Sequence, residues 1–181
     1  MFPDVRTSIE EVQVSDIAQS IAGAVEYLTA NPDEARYTDS SATAKVDGLR
    51  STVSGPDGAT LVSDMPTGVG GAASAPSPGW LMRAALASCD ATVIAMRAAT
   101  QGIALDTLEV TVDGESDDRG LLGMDDDIPA GPLQTRVRVR IGASGVDPER
   151  LREIVQWADQ HSPVGDATRR AIPTTVEIET I

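Results

Sequence analysis

Apolar and polar positions fall in blocks of distinct period along the chain, and the blocks predict its elements. Ile17, Ile21, Val25 and Leu28 recur at helical spacing. Ser15 or Asp16 stands where an N-cap belongs, and Asn31-Pro32 ends the helix. Residues 1–41 therefore read as an N-terminal helical extension that docks on the remainder or on a second subunit. Residues 43–65 read as a β-hairpin around the turn signal Gly55-Pro56-Asp57-Gly58. Residues 67–76, rich in Gly and Ala, read as a flexible connector.

The most distinctive block follows. Ser77 is a helix cap with Pro78 at the first helical position, where a missing N–H does no harm. The helix runs to about Gln101 and stops at Gly102, on the order of 35 Å at ~1.5 Å per residue. Its residues are apolar on nearly every side, which predicts burial or a membrane. Arg83, Asp90 and Arg97 recur every seven residues as one polar stripe. Three charges in a lone span are costly in lipid, so the pattern predicts a central buried helix. Asp90 is the expected partner of both arginines.

Beyond it, Leu108, Val110 and Val112 alternate in a strand over residues 105–113. A second strand, residues 136–141, directs Val137, Val139 and Ile141 inward and its arginines outward. Asp147-Pro148-Glu149 opens a helix with Leu151, Ile154, Val155 and Ala158 on its inner face. Ser162-Pro163 starts a short further helix, and residues 173–181 alternate as a last strand. The order predicts an α+β fold. The long helix is apolar on more sides than one small sheet covers, so a homodimer is expected.

Composition narrows the function. The 28 acidic and 14 basic residues give a net charge of −14, which argues against nucleic-acid and anionic-membrane partners. Lys45 is the only lysine. Aromatics are 3%, so the core is built from aliphatic residues and alanine. Cys89 is the one cysteine, which excludes an intrachain disulfide and a cysteine-based metal cluster. Met1-Phe2-Pro3-Asp4 lacks the basic and apolar regions of a secretory signal, so a cytoplasmic protein is expected. No cofactor is implied.

Three features compete as chemistry. Cys89, in the middle of the long helix, is either a space-filling core residue or a nucleophile. Asp113, Glu115 and Asp117 alternate as in a calcium loop, but Asp118 and Met124 stand where that loop needs Gly and Glu. A solvated hairpin is the better reading there. His161, the sole histidine, reads as part of a helix-ending turn, and Ser162 as a helix cap.

The run Pro76-Ser-Pro-Gly-Trp-Leu-Met-Arg-Ala-Ala-Leu-Ala-Ser-Cys89, with its helix to Gly102 and following strand, resembles the OsmC/Ohr family. Asp64-Met-Pro66 with Gly70-Gly71 and the 136–141 strand add to the likeness, which covers residues 42–181 as one OsmC-like domain. His161-Ser-Pro-Val164 lies where the family usually has Cys-Pro-Val. The resemblance implies an intertwined α+β homodimer with two long central helices packed between β-sheets. It also implies a thiol-dependent peroxidase acting on organic hydroperoxides. Cys89 matches the cysteine that attacks the peroxide and becomes a sulfenic acid, and Arg50 lies near where the family has an arginine of the N-terminal hairpin that holds the thiolate. Two departures stand out. Ser162 replaces the resolving cysteine, and Gly79 replaces a glutamate of the Ohr branch. A hydroxyl cannot condense with a sulfenic acid to a disulfide. The expectation is therefore a one-cysteine cycle drawing on an external thiol reductant, with Cys89, Arg50 and Ser162 as site residues. The alternative is a non-catalytic dimer that binds a small apolar molecule at the subunit interface.

Overall fold

A computed structural model describes residues 13–181; Met1-Phe2-Pro3-Asp4 lie outside the described residues. Helix α1 spans Val14–Ala30. It begins before Ser15 and Asp16, so neither is the cap; Gln13 holds that position, and Asp16 sits in the first turn, where its charge suits the helix dipole. Asn31 closes the helix as expected, its backbone and side-chain N–H groups both bonding the Tyr27 carbonyl. Ile17 and Ile21 are half-buried, while Val25 and Leu28 are exposed.

The expected first hairpin is a three-stranded antiparallel meander: β1 (Thr43–Asp47), β2 (Arg50–Ser54) and β3 (Thr60–Ser63). The turn at residues 55–58 joins β2 to β3. A second, two-residue turn at Gly48-Leu49 splits the first arm, with Asp47 opposite Arg50. Gly48 takes a φ of +60°, which glycine adopts without the penalty of a Cβ.

The connector after β3 is folded and tied, not loose. Asp64 is buried and accepts from the Met65 and Ser74 N–H groups and the Ser74 hydroxyl. The Ser74 bonds, helped by the Met65 N–H, hold its carboxyl below the ordinary range. Its grip on the loop is thus present above the ordinary carboxylate range and is lost as pH falls through the lowered value. Gly71 packs so tightly that a Cβ there would meet the Met65 carbonyl oxygen at 1.9 Å.

Helix α2, Pro78–Thr100, is capped by the Ser77 hydroxyl, which accepts from the Trp80 N–H at 3.2 Å. Gly102, at a φ of +68°, ends it. Within one chain only Leu86, Asp90, Ile94, Ala98 and Ala99 of this helix are buried, and the rest are half-buried or, like Trp80 and Met96, exposed. The expected all-round burial is therefore absent from the single chain.

Strand β4 (Thr107–Glu115), starting two residues later than its pattern suggested, pairs antiparallel with β5 (Gln134–Gly142). Helix α3 (Asp118–Leu121) interrupts the acidic loop between them. Two acids of this region pair with arginines: Asp113 of β4 with Arg138, and Asp117 with Arg119 at 2.6 Å. The Arg119 side-chain hydrogen bonds lower the Asp117 pKa to about 2. Helix α4 (Pro148–His161) is capped by Asp147, and α5 (Pro163–Arg169) by Ser162.

Ile94 and Ala98 of α2 meet Leu151, Ile154 and Ala158 of α4, and this cluster packs against Leu108, Val110, Val139 and Ile141 of the β4–β5 sheet. Val137 faces the same side but is 38% exposed at its rim. Residues 173–181 form no strand. Val176 and Ile178 alternate as required, yet they are exposed and pair with nothing among the described residues. Alternation specifies a face, but a strand also needs a neighbour to satisfy its backbone. No helix among the described residues is long and apolar enough to cross a membrane.

Candidate active site

Cys89 sits near the midpoint of α2 and is half-buried. Helix α4 brings its C-terminal end to this point, and the chain turns at Ser162 into α5. Ser162 is completely buried. Its hydroxyl accepts from the Gly165 N–H at 3.1 Å, as a cap should, and donates to the Cys89 Sγ at 3.3 Å. Both bonding capacities are thus used, which fixes the hydroxyl's orientation. Two residues 73 positions apart form one contact. Gly165 is buried against it, and a Cβ there would approach the Ser162 Oγ to 3.1 Å.

Arg50 is not brought to this pair. It is exposed at the start of β2, opposite Asp47, and the main elements packed on α2 are α1, β4, α4 and α5. His161 ends α4 with its Nδ1 donating to the Trp157 carbonyl at 2.6 Å. Its ring stacks on Trp157 with centroids 3.9 Å apart. The Arg97 guanidinium covers Trp157, 4.4 Å from a ring centroid.

That stack corrects the expected charge stripe. Asp90 forms no ion pair with Arg83 or Arg97 among the described residues, and both its Oδ1 and the Arg97 Nε are buried without a partner. A seven-residue spacing aligns backbones on one side of a helix but leaves long side chains free to choose, and Trp157 of α4 takes Arg97. The Trp157–His161 spacing of four was a legible signal for the ring stack. Gly79 has room at the position of the missing glutamate: a Cβ there would lie 3.8 Å from the Arg83 Nη1. Among the described residues no three His, Cys, Asp or Glu side chains group as a metal site requires.

The Ser162 hydroxyl places one hydrogen-bond donor on the Cys89 sulfur, and the partial exposure of Cys89 admits a small reagent. The pair can therefore support thiolate chemistry, while a serine at this distance supplies no second sulfur.

The family model described as OsmC-like protein matches residues 70–177, a span that contains both Cys89 and Ser162. Among solved structures the chain is similar to an organic hydroperoxide resistance protein from Legionella pneumophila, with 23% identity and a TM-score of 0.56, covering 74% of this chain and 91% of that one. It is similar to an OsmC-like protein from Mycoplasma pneumoniae at 15% identity and a TM-score of 0.63, covering 74% and 89%. An OsmC-like protein from Vibrio cholerae gives 14% identity and a TM-score of 0.62, covering 74% and 95%. No curated protein matches the chain. At these identities the structural likeness is one of fold.

Proposed function

The chain belongs to the OsmC-like protein family, and from that premise we propose that it reduces organic hydroperoxides through Cys89 in a one-cysteine cycle. The observation that carries this reading is the Cys89–Ser162 contact at 3.3 Å. It sits in a fold shared with proteins named for organic hydroperoxide resistance. In the first step the Cys89 thiolate attacks the outer oxygen of the hydroperoxide. The O–O bond breaks, the sulfur becomes a sulfenic acid, and the leaving alkoxide takes up a proton as the alcohol. Ser162 offers no sulfur for the second step. An external thiol therefore condenses with the sulfenic acid, releasing water and leaving a mixed disulfide. A second external thiol attacks that disulfide and returns Cys89 to its reduced form. A cytoplasmic setting supplies such thiols.

With dithiothreitol as reductant, the reduced protein should consume cumene hydroperoxide catalytically. Ser162→Ala removes the donor on the sulfur and the cap of α5. It should slow consumption severalfold and lower stability by about 0.5–2 kcal/mol. The pair of assays is peroxide consumption and denaturant unfolding. Absence of consumption by folded wild-type protein would contradict the reading.

The working unit in this proposal is a homodimer of the 42–181 domain, with residues 1–41 as an extension. Three features support it: the uncovered side of α2 at Trp80 and Met96, the uncovered half of α1 at Val25 and Leu28, and the unpaired alternating segment 173–181. Exposed apolar surface of this extent is unfavourable in water and marks an interface. Light scattering coupled to sizing should return the dimer mass at micromolar concentration. A stable folded monomer would count against it.

A further inference from the structure

Two carboxylates are buried among the described residues, Asp64 and Asp90. Asp64 is fully bonded by its own loop. Asp90 is 5% exposed and has no hydrogen bond or ion pair among the described residues. Burial of an unpaired charge is strongly unfavourable, so such a group is kept only where something satisfies it.

Asp90 lines a cavity of about 260 Å³ between α2, α4 and β5. Ile94, Val139 and Val155 supply its aliphatic walls, with Val137 at the mouth. Gln156 and Asp159 of α4 add the other polar groups. Asp159 is already held by Arg169 at 2.9 Å. None of the nearby cations pairs with Asp90: Arg97 covers Trp157 and leaves its Nε without a hydrogen-bond partner, and the β5 residues Arg138 and Arg140 pair with Asp113 and Glu109 of β4. The cavity therefore presents one uncompensated buried carboxylate, one amide and an aliphatic wall.

We propose that this cavity binds a small aliphatic primary ammonium ion. The ammonium has three donors for the Asp90 carboxylate and the Gln156 side-chain oxygen, and its alkyl chain lies along Ile94, Val139 and Val155. A neutral molecule of the same shape leaves the carboxylate unpaired, and an anion meets it with like charge. The site is distinct from the thiol: Asp90 follows Cys89 in sequence but is turned about 100° around the helix from it. The inference stands independently of the peroxidase reading.

The test is calorimetric titration of the full-length reduced protein with n-butylammonium, n-butanol and butyrate. The ammonium should bind at least tenfold more tightly than the alcohol, and butyrate should not bind. Asp90→Asn should reduce ammonium affinity to that of the alcohol. Val137→Phe, which fills the mouth while leaving Asp90 in place, should lose both ligands. Equal affinity for ammonium and alcohol, or no ammonium binding in the millimolar range, overturns the proposal. If Asp90→Asn does not fold, Val137→Phe decides: unchanged ammonium binding there removes the cavity as the site.

Discussion

Replacement of Cys89 by serine is expected to abolish peroxide reduction, lowering the rate to that of the reductant alone. The chain has no second thiol, since Cys89 is its only cysteine. A serine hydroxyl lacks the readily formed anion and the polarisable sulfur that attack the O–O bond. The fold should survive. The position is half-buried, and its bond to Ser162 can be remade between two hydroxyls. Unfolding midpoints of the variant and wild type should therefore lie close together, while cumene hydroperoxide consumption separates them completely. Comparable turnover in the serine variant would move the chemistry off Cys89.

Ser162→Cys carries the second large effect, in the opposite direction. The Ser162 Oγ lies 3.3 Å from the Cys89 Sγ, so a thiol there starts close to its partner, and a modest adjustment reaches the ~2.05 Å bond. A sulfenic acid at Cys89 should condense with the new thiol in place, releasing water and forming an intramolecular disulfide. Mass spectrometry should show a loss of two hydrogens per chain after peroxide. Turnover with a dithiol reductant should rise, because the resolving step no longer waits for a collision. Substitution also removes the cap bond to the Gly165 N–H, so stability of the reduced form should fall by about 0.5–2 kcal/mol. An introduced thiol that stays reduced while Cys89 over-oxidises to the sulfinic acid would contradict the proposed neighbourhood.

These predictions rest on features that differ in how plainly the sequence displayed them. Local chemistry was legible. Ser77-Pro78 and Gly102 mark the ends of α2 because capping and termination are decided within a few residues. The inner face of α4 followed from period alone, and Leu151, Ile154 and Ala158 are buried as its spacing required. The turn at Gly48-Leu49 was also local, but the stronger signal at residues 55–58 masked it. Features that depend on a partner were harder to read. Residues 173–181 alternate perfectly, yet no strand forms without a neighbour in the same chain. Asp90 shares a stripe with Arg83 and Arg97, yet the indole of Trp157, sixty residues downstream of Arg97, captures that guanidinium. The Cys89–Ser162 contact spans 73 residues, so no local pattern reveals it; only the resemblance to a Cys-Pro-Val element pointed there. Arg50 rested on the same resemblance, and within one chain it stands on a separate sheet.

Organic hydroperoxide should oxidise Cys89 itself, and chemical trapping of the sulfenic acid reads this at the residue. Reduced protein is treated with a stoichiometric amount of cumene hydroperoxide in the presence of a dimedone-type sulfenic-acid reagent, digested, and mapped by mass spectrometry. One adduct should form, on the peptide containing Cys89, with release of one equivalent of the alcohol. No adduct at Cys89, with its thiol still free and the peroxide unconsumed, would contradict it.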